Sequence, residues 1–86
     1  MYYVYVLQNP KNGALYYGFS ADLKSRVKRH QESEHPGWKL VYYEAYRDER
    51  DARTRERMLK HYGSAHGKLK ARLEHSLKFE DLERAG

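Results

Sequence analysis

The 86-residue chain contains no cysteine, which excludes disulfides, zinc-thiolate sites and thiol chemistry. That absence suits a reducing compartment, and a cytoplasmic location is expected. No apolar run approaches the roughly 18 residues that a membrane span needs, so no membrane partner is expected. The opening residues MYYVYVLQNP carry no basic flank and read as a strand rather than as a signal peptide. There is no glycine-rich phosphate loop, no serine-centred elbow and no helix-turn-helix pattern. The five histidines do not fall at zinc-like spacing. Linkers, repeats and low-complexity tracts are also missing. The expectation is one domain over residues 1–86, with a core of about 2–75 and a tail, 76–86, that is helical or frayed. A chain this short buries roughly 60–65% of its unfolded surface, so its core is thin.

Positive charge and tyrosine are what the chain has in quantity. Lys and Arg number 17 against 12 Asp and Glu, for a formal net charge of +5. A basic surface concentrates phosphate and favours nucleic acid, although many small proteins are basic for no such reason. Nine residues are tyrosine, mostly in strand-like segments. Nine hydroxyls cannot all be buried cheaply in a thin core, so some must line a surface or a cleft.

Tyr2–Leu7 and Ala14–Phe19 read as two strands of a hairpin across the turn formers Asn9-Pro10-Lys11-Asn12-Gly13. With a four-residue loop, Asn9–Asn12, Tyr5 falls opposite Tyr16, Tyr3 opposite Gly18 and Leu7 opposite Ala14. These six share one face. Tyr2, Val4, Val6, Leu15, Tyr17 and Phe19 form the other, greasier face, which is expected to pack on the core. Ser20 can cap a first helix, with Asp22 in its first turn. Leu23, Val27 and His30 recur at helical spacing, Arg26 lies one turn before His30, and the helix is expected to end near Gln31–Ser33. Trp38–Tyr46 reads as a third strand. A second helix opens at Arg47-Asp48-Glu49 and runs to about Tyr62. Gly63 is expected to end it, Gly67 to close a loop, and Lys68–His75 to form a third helix. The predicted fold is α+β: a three-stranded, mainly antiparallel sheet flanked by helices, in the order β-β-α-β-α-α.

On the second helix Ala52, Met58, Leu59 and Tyr62 form an apolar stripe, and Arg50, Arg53, Arg57 and Lys60 an opposite basic face. Glu56, at the border, is the only carboxylate after the first turn. Two readings compete for it. One is an i,i+4 ion pair with Lys60, which spacing alone favours. The other is a hard oxygen ligand for Mg²⁺, an ion often held by one or two carboxylates plus waters. Arg55 projects near the apolar stripe without an evident partner. Lys68, Lys70 and Arg72 suit either a solvated helix face or a contact to a nucleic-acid backbone.

The order of these features is more specific than any one of them. Tyr3-Val4-Tyr5, then Tyr16-Tyr17-Gly18, then a helix bearing Arg26-Val-Lys-Arg-His30, a strand Trp38-Lys-Leu-Val-Tyr-Tyr-Glu44 and a helix with Ala52-Arg-Thr-Arg-Glu56 resembles the GIY-YIG nuclease family. The likeness spans about residues 2–75 and is similar to small stand-alone members and to the domain that opens the UvrC subunit of bacterial excision repair. It implies a metal-dependent endonuclease hydrolysing phosphodiester bonds, in DNA rather than RNA, in repair or recombination. Glu56 would hold a single Mg²⁺ or Mn²⁺. Tyr5 would orient or deprotonate the attacking water with Tyr16 beside it, Arg26 would stabilise the scissile phosphate, and His30 would support proton transfer. Gly18 would leave room for helix and substrate, and Lys24, Arg29, Lys68 and Lys70 would join it in binding substrate. A monomer or weak homodimer is expected. The chain departs from the family pattern at Tyr3, where the family has glycine, in the acidic connection Glu32–Gly37, and in having no asparagine after the metal-bearing helix. The competing expectation is a non-catalytic nucleic-acid-binding module on the same fold. A protein-interaction domain with an incidental basic face is the third reading.

Overall fold

The computed structural model describes residues 1–78, so the end of the expected tail, 79–86, lies outside the described residues. Strands β1 (Tyr2–Gln8), β2 (Leu15–Ser20) and β3 (Lys39–Tyr46) form one antiparallel sheet in the order β2-β1-β3. Helix α1 (Leu23–Arg29) follows β2 and runs into a π-helical turn over His30–Glu34, while α2 (Glu49–His61) and α3 (Gly63–Arg72) follow β3. The predicted α+β class and β-β-α-β-α-α order are therefore the observed ones.

The hairpin register differs from the expected one by two residues: Tyr5 pairs with Gly18, Leu7 with Tyr16 and Tyr3 with Ser20. The loop is longer than four residues because Asn9 accepts from Gly13 N at 2.8 Å and donates to Ala14 O at 2.9 Å. Gly13, at φ 78°, supplies the left-handed residue that closes it. An even shift keeps every side chain on its face, so the two-faced assignment survives.

The greasier face is the main core. Val4, Val6 and Tyr17 pack with Ala52, Leu59 and Leu69, bordered by Tyr2, Leu15, Phe19 and Leu73. The opposite face is not left to solvent: Tyr5 and Leu7 are fully buried under Val27, with Tyr16, Leu23 and Trp38 around them. The sheet is thus a middle layer, with α1 and its π turn on one side and α2 and α3 on the other. In β3 the pairing with β1 slips between Val6 and Leu7, leaving Val41 as the extra residue of a bulge.

Caps and breaks explain the helix limits. Asp22, not Ser20, caps α1, its carboxylate accepting from Ser25 N at 3.3 Å, while Ser20 Oγ accepts from Asp22 N. Asp48 caps α2 through Arg50 N at 2.8 Å. Tyr62, in an extended conformation (φ −117°, ψ 111°), breaks α2. Gly63 then starts α3 at once and Gly67 lies inside it, against expectation. Burial of Leu69, with Ala65 and Leu73 on the same core, outweighs the roughly 1 kcal/mol helix penalty of a glycine. Met58 and Tyr62 are exposed rather than part of the predicted stripe.

Arg55 has a partner that only the fold reveals. It reaches β3 and clamps Glu44 with Nε at 3.0 Å and Nη2 at 3.0 Å. The hydroxyls of Tyr42 and Tyr46 donate to the same carboxylate. Burial alone would raise the Glu44 pKa, but Arg55 and the two phenols hold it below the ordinary value. Tyr46 is pushed up to about 12 by burial and by its bond to Glu44. Tyr17 Oη meets His66 Nδ1 at 2.6 Å, satisfying another hydroxyl of the core face. Gln8 Nε2 donates to Leu77 O at 2.9 Å and ties the segment after α3 to the hairpin.

Candidate active site

Strand β2 is an edge of the sheet, so the helices on the two faces meet around its free side. An open cleft of about 670 Å³ forms there. Tyr16, Phe19 and Ser20 line it from β2, Arg26 and Arg29 from α1, and Arg53, Glu56 and Lys60 from α2. Asp22 and Ser25 complete its wall. Tyr16 leaves the strand on the α1 side and Phe19 on the α2 side, so the cleft wraps the strand edge.

Glu56 stands in this cleft as a carboxylate among arginines and lysines. Its Oε2 lies 3.2 Å from Lys60 Nζ, so the expected i,i+4 pair is present within the cleft itself. Lys60 also stands 5.5 Å above the Tyr16 ring. Arg53 stacks on Phe19 at 4.2 Å and holds Glu49 at 2.6 Å. The sequence pattern puts Arg53 and Lys60 on the basic face, and the structure puts them in the cleft. The signal that would have found them is their spacing, three residues before and four after Glu56.

Tyr5 does not line the cleft. It lies behind Tyr16, ring centroids 6.4 Å apart, and is completely buried. The room it occupies belongs to Gly18: a Cβ there would stand 2.8 Å from Tyr5 Cε1 and closer still to Cζ and Oη. Gly18 therefore makes space for the Tyr5 ring rather than for a helix. Burial pushes the Tyr5 phenol up, while the neighbouring Arg26 guanidinium pulls it down by less. His30 is also buried, 4.9 Å from the Tyr16 ring and edge-on to Tyr5 at 6.0 Å. Burial lowers its pKa, with Glu34 opposing.

Three polar atoms gather on this side of the sheet without a hydrogen-bond partner among the described residues: Tyr5 Oη, Arg26 Nε and His30 Nε2. A buried polar atom left so costs about 1–3 kcal/mol, which marks a place prepared for something else. Of the remaining expected substrate contacts, Arg29 lines the cleft and Lys24 is exposed on α1 outside its lining. Lys68 lines a separate depression with Arg55, Met58 and Arg72, and Lys70 is exposed on α3. The structure thus brings Tyr16, Arg26, Arg29 and Glu56 together, sets Tyr5 and His30 behind them, and leaves Lys24, Lys68 and Lys70 outside.

An open basic cleft with two carboxylates, Asp22 and Glu56, in its lining, built on the edge of a small α+β sheet, suits a domain that handles phosphodiesters. The chain belongs to the GIY-YIG family: the GIY-YIG catalytic domain matches residues 1–70, and with it come a nuclease class and a nucleic-acid substrate. No curated protein and no solved structure matches the chain, so the expected likeness to the UvrC domain has no support beyond the shared family. No described helix is long and apolar enough to cross a membrane.

Proposed function

We propose that this protein is a metal-dependent endonuclease that hydrolyses phosphodiester bonds in DNA at the β2-edge cleft. The observation that carries this is Glu56, flanked on α2 by Arg53 and Lys60, lining one opening with Arg26 and Arg29 of α1 and with Tyr16. A domain that only bound nucleic acid would gain nothing from a carboxylate there, since without a cation it repels phosphate.

The donor set fits a hard divalent ion. Glu56 offers one carboxylate whose only ion-pair partner among the described residues is Lys60, and Asp22 lines the same cleft. Mg²⁺ or Mn²⁺ would be held on Glu56 with waters completing the shell. Bound there, such an ion supplies Lewis acidity that lowers the cost of negative charge on phosphate oxygens. Lys60, the partner of Glu56 here, would be free to reach the phosphate if Glu56 held the ion. Arg26 and Arg29 hold the scissile phosphate from the opposite wall, and Arg26 stabilises its growing charge. Tyr16 is the phenol that reaches the cleft, so it orients the attacking water. Tyr5 supports it from behind, and His30 turns Nε2 to the same side.

Plasmid nicking with Mg²⁺ or Mn²⁺ tests the assignment. Glu56→Ala should lower cutting by at least about 100-fold, the scale of a lost electrostatic contact to the transition state, while DNA binding stays. Salt-dependent binding without cutting by wild type in either metal would leave a binding module instead.

A further inference from the structure

The turn after α1 holds three ligand-bearing side chains that the cleft does not use as a set. His30, Glu34 and His35 fall within six residues, and their ligating atoms all lie within 4.8 Å of one another. An α-helix cannot do this, because residues five apart point about 140° away from each other. The π turn over His30–Glu34 is closed by His35 N donating to His30 O at 2.7 Å. An i→i+5 bond of this kind stacks residue i+5 over residue i, and such turns recur at functional sites.

Two of the three separations match the spacing of ligands around one ion. His30 Nδ1 and His35 Nδ1 face each other at 3.3 Å, and Glu34 Oε2 is 3.5 Å from His30 Nδ1. An ordinary N–H hydrogen bond is shorter, about 2.9–3.0 Å. Two donors bound tetrahedrally at about 2.0–2.1 Å from one zinc ion lie about 3.3 Å apart. Two imidazoles and one carboxylate select a borderline transition ion such as Zn²⁺ over Mg²⁺.

The rings are held in place without an ion. His35 packs 4.6 Å from both Tyr16 and Trp38, and His30 is wedged against Tyr16 and Tyr5. Glu34, its side chain 62% exposed, leaves the approach open to solvent. Two packed ring ligands reduce the ordering cost of binding.

We propose that His30, Glu34 and His35 form a binding site for one zinc-class divalent ion, separate from Glu56. Occupied, it clasps the π turn and fixes the wall behind Tyr16. The site stands whether or not the cleft cuts DNA, and its test uses no nucleic acid.

Titration of Co²⁺ alone into the full chain, followed by visible absorption, reads the site directly. Wild type should show the intense bands of tetrahedral cobalt saturating at one equivalent, bleached by Zn²⁺ and unaffected by Mg²⁺. His35→Ala should weaken binding about 100-fold or more, since even outer partners of such ligands are worth about 10–100-fold. Glu34→Gln alters an exposed side chain, keeps the fold, and should also weaken binding at least tenfold. Glu56→Ala should bind Co²⁺ as wild type does. Absence of tetrahedral bands in wild type overturns the proposal. So do bands unchanged in both Glu34→Gln and His35→Ala, which would place the ion on His61, His66 or His75, and bands lost in Glu56→Ala.

Discussion

The two faces of the sheet solve opposite problems with the same residue type. Toward α2 and α3, tyrosine hydroxyls are matched: Tyr42 and Tyr46 bond Glu44, and Tyr17 meets His66. Toward α1, Tyr5 Oη has no partner among the described residues, nor do Arg26 Nε and His30 Nε2. The first face holds the fold together with apolar side chains and a polar network in which Gln8 Oε1 is the buried side-chain atom left without a partner among the described residues. The second keeps polar atoms under-satisfied beside the cleft, where a substrate can complete them. The main core and most of the unpaired buried atoms thus lie on opposite sides of one sheet, and the cleft at the β2 edge draws side chains from both.

The largest effect should come from the structural face. Leu59→Ala, which empties a fully buried position between α2 and the sheet, should cost about 2–5 kcal/mol in urea unfolding while the folded fraction still cuts. If cutting by the folded fraction fell as steeply as stability, the two faces would not be separable. Gly18→Ala comes next. Its Cβ must displace the Tyr5 ring, so it should cost about 1–3 kcal/mol and reduce nicking at least tenfold. Wild-type stability and activity in that variant would show that the ring is not pinned there.

The sharpest contrast is one substitution made on each face. Tyr46→Phe should cost about 1–2 kcal/mol, because it removes a donor to a charged, half-buried Glu44. Tyr5→Phe removes a hydroxyl with no partner and should leave the unfolding midpoint unchanged or higher, while cutting falls. Equal destabilisation by both would remove the distinction drawn above. The smallest effect is in pH. Glu44 has a lowered pKa in the fold, so its contribution is complete above the unfolded carboxylate value of about 4.5 and drains as pH falls through the lower folded value. Glu44→Gln should therefore be less stable than wild type at pH 7 and show a flatter loss below pH ~4.5 in acid titration. An acid limb as steep as that of wild type would assign the acid sensitivity elsewhere.

The fold was legible wherever a local period decides structure. Val4, Val6, Leu15 and Tyr17 alternate, and their face was read correctly even though the loop length was not. An error of two residues in register is invisible to a pattern of period two. Gly63 and Gly67 misled because their usual role as breakers is a local preference, and the burial of Leu69 is a tertiary fact. Arg55 and Glu44 are eleven residues apart, and the packing of α2 back against β3 brings them together. At the cleft, Tyr16, Arg26, Arg29 and Glu56 were named from sequence. The depth of Tyr5 and His30 was not, because it depends on what α1 covers. His30 and His35 come together only through a π turn, which helical spacing of 3.6 cannot anticipate.

The free side of β2 has a further consequence for how copies of the chain behave at high concentration. An unpaired strand edge is a template for another strand and a common start for aggregation. Here Arg26, Arg29, Arg53 and Lys60 flank that edge from both sides. Two molecules adding strand to strand would bring these cations face to face, so the residues proposed to draw in phosphate would also act as gatekeepers against self-association through β2.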